Sequence, residues 1–344
     1  MPVQETATPA SRNARQEPQQ SSGWLSRLTQ EQIVFAVAIL LAVVFAIILP
    51  GFATVGNAVS LLNSISVVGI LALGAAVVII ARGLDISQIG SMVAGASLAA
   101  VLMGHGWAVG WALLCGLLIS TAIGLLNGFI IAFVEVPPLF ATLAMNLLIF
   151  GLVRLLIVGG VYTVYVPDHA SAFLALGGRV AGIPISVLVF FGMALLIHLF
   201  LSRTRLGRFI YAHGDNPEAA RQAGIPVRPL TIFEYVLAAD IGYIAGLMLM
   251  ATLSSIDTQM ISGSMIFNVI LVAVLGGVSL VGGRGSVFCV LAGALLIGVV
   301  LNGMTLLNLN DDLQNIVRGL VLLGAIVLDN RLHPRDEETA RQGE

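Results

Sequence analysis

Long apolar runs, each closed by a short polar break, constrain this chain more than any other feature. In order they are Ile33 to Leu49, a second run ending near Ile80 and preceded by polar Asn57, Asn63 and Ser64, then Val93 to Met103, Trp107 to Phe133 and Leu139 to Val158. Ile183 to Leu201, Thr231 to Leu253, Met265 to Leu280, Val287 to Leu306 and Leu313 to Leu328 complete the series. A helix needs about 20 largely apolar residues to cross a hydrocarbon layer about 30 Å thick. In that layer each backbone polar group must be satisfied within its own segment, so such runs are read as helices. The expected fold class is all-α: a polytopic transmembrane helical bundle of about ten spans, with broken or re-entrant segments. Composition agrees, since only 10% of the residues are charged against roughly 25% in a soluble domain.

Three domains follow. Residues 1–30 form a cytoplasmic tail, disordered at least over the Gln-, Pro- and Ser-rich stretch to Ser22. Residues 31–330 form the transmembrane domain, and residues 331–344 a second cytoplasmic tail of mixed charge. The first apolar run starts too late, and is followed too closely by others, to be a cleaved signal. Net charge is only −2, so no basic surface invites nucleic acid. Cys115 and Cys289 sit inside apolar runs and are read as small buried hydrophobes.

Five of the sixteen basic residues, Arg203, Arg205, Arg208, Arg221 and Arg228, fall in the one strongly polar loop, residues 202–229. Placing that loop in the cytoplasm puts both termini there too, with Arg12, Arg15, Arg27, Arg331, Arg335 and Arg341 on the same side, in accord with the positive-inside rule. Within the loop, Asn216 suits a helix N-cap and Pro217 the first helical position. Glu218 falls in the favourable first turn, and Gly224 can take the left-handed conformation that ends a helix. The expected product is a short, stiff helix: either an ordinary surface turn or a feature that meets a soluble partner.

Two breaks stand out. The first, Ala81 to Gly95, contains Arg82, Asp85 and Ser87. A charge at the centre of a span costs roughly 2.5–3.5 kcal/mol, so this segment should lie near an interface or pack against protein, with Asp85 capping the next helix. Val269 to Val287 repeats the pattern with Arg284 and five glycines, suggesting a distant parallel repeat. Asp240 sits mid-span and is a functional candidate by default. It either faces a wet pathway, stays protonated, or pairs with Arg154 or Arg318. Asn127, Asn146, Asn268 and Asn302 also fall in spans, where they join helices by hydrogen bonds or line a pore. No HExxH, CxxC, GxSxG or Walker lysine is present, and the five histidines are scattered, which gives no basis for metal binding or ATP hydrolysis.

GLDISQIGSMVAG, VPPLFATLAMNLLIFGLVRLL, GRFIYAHGDNPEAARQAGIPV and VLGGVSLVGGRGSVFCVLAGALLIGVVLNGM, in that order, resemble the permease subunit of the bacterial ribose-type ABC sugar importers. The likeness runs from about Leu61 to Asp329. It implies a multi-pass protein of the bacterial inner membrane that imports a monosaccharide or similar polyol, is not itself an enzyme and carries no cofactor. The implied partners are a second permease copy or paralogue, a periplasmic or lipid-anchored binding protein, and a cytoplasmic ATPase that binds ATP and Mg. Gly214, Asn216, Glu218, Ala219, Ala220, Arg221 and Gly224 look like the ATPase-coupling motif of that family. Asp85, Ser87, Asn146, Asp240, Asn268 and Asn302 remain candidate pathway or structural residues. Asp240 departs from the family, which usually has a small or hydroxyl residue there. An ion-coupled secondary transporter is the alternative reading.

Overall fold

The computed structural model describes residues 29–332. The tail expected before residue 29, and the one expected after residue 332, lie outside the described residues. So do Arg12, Arg15, Arg27, Arg335 and Arg341.

The chain opens with α1 (Gln30–Ile48), α2 (Val55–Ile80), α3 (Gln88–Gly104), α4 (Val109–Phe133) and α5 (Pro138–Leu152), the last prolonged by a π-turn over Val153–Ile157. A folded connection follows: β1 (Thr163–Tyr165), α6 (Ser171–Leu174) and the hairpin β2 (Arg179–Val180) and β3 (Ile183–Pro184). Then come α7 (Ile185–Arg203), α8 (Arg205–Asp215), α9 (Pro217–Gln222) and α10 (Val227–Leu253). After β4 (Ser255–Asp257), which pairs antiparallel with β1, the chain ends in α11 (Met265–Gly276), α12 (Val287–Leu306) and α13 (Asp311–Leu332).

Each of the ten apolar runs falls mainly on a helix, but Ile183 and Pro184 lie in β3 ahead of α7, and the run expected to reach Leu280 leaves the helix at Gly276, where left-handed Gly277 ends α11. Among the described residues, seven helices are long and apolar enough to cross a membrane: α1, α2, α4, α5 with its π-turn, α7, α10 and α12. The expectation of about ten full spans is thus met only in part. α11 has 12 residues and, at 1.5 Å per residue, a length of about 18 Å, short of the roughly 30 Å layer. α3 has 17 residues, and α13 carries five charged residues, Asp311, Asp312, Arg318, Asp329 and Arg331.

The centre of the bundle is α2, α3 and α10. From Ser66 to Ile80, α2 is buried nearly all round, as expected of an apolar helix surrounded by others. α4 lies against α10 at backbone distance, because a Cβ added at Gly124 would stand 2.7 Å from the Val236 Cα. Polar side chains stitch the helices together: Gln88 Nε2 donates to the carbonyls of Leu71 (3.0 Å) and Ala238 (3.2 Å), joining α3 to α2 and α10. Asn57 and Asn302 exchange amide hydrogen bonds of 2.9 and 2.8 Å.

Three local expectations change. Asn57, Asn63 and Ser64 lie inside α2, because Thr54 Oγ1 caps the helix by accepting from the Asn57 N–H at 3.3 Å. α3 begins at Gln88, five residues before the apolar run. The arginine-rich loop holds two helices, since Thr204 Oγ1 accepts from the Gly207 N–H (3.0 Å) and starts α8 immediately after α7.

Candidate functional site

The site is built on α8 and α9. Asn216 Oδ1 accepts from the Ala219 N–H at 3.0 Å and caps α9, with Pro217 at its first position. Glu218 accepts from Gln222 Nε2 at 3.3 Å, while Ala220 is the one buried residue of the helix. Gly224 has φ +81°, and the N–H of Ile225 reaches the Ala220 carbonyl at 3.0 Å. That 6→1 bond with a left-handed glycine before it is a Schellman closure. Ala219, Arg221 and Glu218 are exposed. The result is a closed two-turn plug whose outer surface is free.

Its base is fixed by backbone packing. Gly214, at the end of α8, is buried against the end of α2 and the break after α11. A Cβ there would collide with the Ile80 carbonyl and stand 2.7 Å from the Gly283 nitrogen. The Gly283 N–H in turn donates to that same Ile80 carbonyl at 2.8 Å. Gly282 and Gly283 have φ +93° and +71°, conformations only glycine adopts freely, while Arg82 on the facing break has φ +70°. Tyr211 of α8 adds a side-chain tie, donating to the Gly285 carbonyl at 2.8 Å. The two breaks read from the sequence therefore meet each other, and both meet α8.

Beside α9 opens a cavity of about 570 Å³ lined by Arg82, Glu135, His213, Arg221, Arg228, Glu234 and Tyr235, among others. Glu234 Oε1 and the Tyr235 hydroxyl are buried there without a hydrogen-bond partner. Arg228 pairs with Glu135 at 3.0 Å in an exposed position, a contact of small energetic weight. Burial and the neighbouring Arg82 push the pKa of His213 below its ordinary value, which favours the neutral ring at pH 7.

The remaining candidates are scattered. Asp85 is buried in the first break, where its Oδ1 accepts from the Ser87 N–H (2.9 Å) and Ser87 Oγ (2.7 Å); Asn127 Nδ2 donates to Ser87 Oγ at 2.6 Å. The turn thus sits just ahead of α3. Asn146 Nδ2 donates to the Ile261 carbonyl at 3.1 Å, and Asn268 Oδ1 is buried without a partner. Asp240 meets neither arginine named as a partner for it: Thr121 Oγ1 lies 2.8 Å from its Oδ1. Arg154 instead donates to the Gly160 carbonyl at 2.6 Å, and Arg318 bonds Gln314, Asn315 and Ser264. Cys115 is half-buried and Cys289 buried, the latter with its thiol 3.3 Å from Glu31 Oε2.

Desolvation pushes the pKa of Asp85 up from 3.8 to about 6, against the lowering effect of the Ser87 bonds. The folded state then binds the proton more tightly than the unfolded state. The contribution of Asp85 to stability is fully present below about pH 4 and is lost as pH rises to about 6, by on the order of 2–3 kcal/mol. Asp85→Asn keeps the acceptor and removes the charge. Melting of purified variant and parent between pH 4.5 and 7.5 should show the variant gaining relative stability as pH rises, and a pH-independent difference would contradict this.

Residues 57–326 match a family model described as "Branched-chain amino acid transport system / permease component". The chain belongs to this permease family. The ribose import permease protein RbsC of Escherichia coli K12 is 34% identical over 306 residues, covering 88% of this permease and 94% of the relative. The L-arabinose transport system permease protein AraH of the same organism is 34% identical over 298 residues, 86% and 88% of the two chains. The autoinducer 2 import system permease protein LsrC of Salmonella paratyphi B is 31% identical over 301 residues, 85% of each. No solved structure matches the permease. Sequence reasoning found the α9 residues of the permease, but missed the amphipathic α8, the Ile80–Gly214–Gly283 junction and the cavity with Glu234. Thr204, three residues before Gly207, was the available signal for α8.

Proposed function

We propose that this permease forms the translocation pathway of an ATP-driven importer for a monosaccharide or similar small polyol, in the inner membrane of a bacterium. The observation that carries the reading is the capped plug of α9, exposed on its outer face and rooted through Gly214 in both breaks of the bundle. A plug seated in a cytoplasmic ABC ATPase would pass the closure of that motor to α2 and α11 as a rigid-body movement. ATP and Mg would then be held by the partner, with no cofactor in this chain. Two of the three relatives cited are named for pentoses, ribose and L-arabinose, which supports the substrate class.

The remaining assignments follow from this frame. Both termini are cytoplasmic, all ten apolar helices contribute to crossing the membrane, and a second permease copy or paralogue and a binding protein complete the assembly. Asp240, Asn146 and Asn268 are the pathway candidates; Asp85, Ser87 and Asn302 hold the bundle together.

Asp240 supports a second reading, ion-coupled transport, because it is a half-buried carboxyl in the middle of α10 with one hydroxyl partner. Uptake of labelled ribose and arabinose by proteoliposomes separates the two. With the cognate ATPase and binding protein present, uptake is expected to require ATP and to survive collapse of the proton gradient. Uptake by this chain alone, lost on collapsing the gradient, would replace the importer reading with the second one.

A further inference from the structure

A groove of about 790 Å³ lies between α1 and α7 over a floor of α2 and α12, and shares no lining residue with the cavity beside α9. Phe35 and Ile39 of α1, Phe190 and Phe191 of α7, and Phe288 and Leu295 of α12 line it. Its polar side chains are few: Glu31 Oε2 accepts from Ser286 Oγ (2.8 Å), Gln32 Oε1 accepts from the Thr29 N–H (3.1 Å), and Ser66 Oγ donates to the Leu62 carbonyl (2.6 Å), which leaves Glu31 Oε1 and Gln32 Nε2 open at the start of α1. The rest of the lining is apolar, which suits a hydrocarbon chain better than a sugar.

The groove is continuous with surfaces that already face hydrocarbon. α1 and α7 are both membrane-capable, and on either side they expose Val37, Leu40, Leu195 and Leu196. A further helix would lie on the groove and not within it. With a diameter of about 10 Å, a helix filling this volume would run only about 10 Å, fewer than two turns. Flexible chains of methylene groups suit the space, and because bilayer hydrocarbon is equally apolar, retention would come from close packing against the aromatic and aliphatic lining and not from transfer out of water.

We propose that a phospholipid acyl chain occupies the α1–α7 groove as a retained ligand, distinct from the exchanging lipid around the other helices. α1 is the least enclosed of the membrane-capable helices, with 11% of its most apolar window buried, so the chain serves as a wedge between it and α7.

The test uses the full chain in detergent. Native mass spectrometry is expected to show at least one retained phospholipid per polypeptide, reduced at least threefold in Ile39→Trp and in Leu62→Trp, whose indoles fill the groove from its edge. A phospholipid carrying a photoreactive group in its acyl chain should label peptides of Phe35 and Phe191 several-fold more than those of Leu118 and Leu125 on the exposed face of α4. This arm needs only the unsubstituted protein. Equal labelling of the two faces, or full lipid retention by both tryptophan variants, would overturn the proposal, as would cross-links from α1 to a second copy across the groove.

Discussion

Gly214→Val is expected to reduce ATP-driven uptake at least tenfold. The cause is geometric. The end of α8, the end of α2 and the break after α11 meet with no side chain between them, and a Cβ at Gly214 collides with the Ile80 carbonyl. That carbonyl already accepts the Gly283 N–H, so it cannot move aside without losing the bond that holds the second break. Overpacking of this kind typically costs about 1–3 kcal/mol, enough to lower the melting temperature and to part the three segments while leaving the long helices inserted. Gly192→Val is the matched control, because a Cβ at Gly192 on α7 has no heavy atom within 4 Å. Uptake and melting are measured for both. Parent-like uptake by Gly214→Val would show that the junction does not carry the movement of α9 into the bundle.

How much of this was legible beforehand depends on the range of the interaction. The α9 plug is local: cap, N1 proline and closing glycine lie within nine residues, so propensity and position were enough to read it. The helical class followed equally directly from apolar runs that a bilayer would enclose. Span limits were less legible, because burial inside the bundle relaxes the requirement for apolarity. Asn57 could enter α2 since Asn302, 245 positions away, satisfies its amide, and Gln88 could open α3 since two distant carbonyls receive its side chain. The partner of Asp240 was missed for the same reason. Charge complementarity suggests an arginine, whereas the tight approach of α4 to α10 brings Thr121 into place. Glycines 282 and 283 announced a tight break, but nothing local indicated that they would meet Gly214.

Gly224→Pro should cut co-purification of the ATPase at least tenfold while the permease remains folded and membrane-inserted. Gly224 stands at φ +81°, whereas proline is held near −65°, and the substitution also removes the N–H that reaches the Arg221 carbonyl at 3.0 Å. The end of α9 must therefore open, carrying Ala220 and Arg221 with it. Gly224→Ala supplies the graded comparison: no atom lies within 4 Å of an added Cβ, so its cost is backbone strain alone, about 1–2 kcal/mol, and its effect on association should be intermediate. Glu218→Arg separates shape from contact. The residue is exposed and its part in stabilising the helix N-terminus is worth only about 0.3–1 kcal/mol, so a loss of association as large as that of Gly224→Pro would place Glu218 itself at the surface that meets the ATPase. Unchanged association in all three variants would remove α9 from the coupling path, and the exposed arginine-bearing face of α8 would be the next surface to substitute.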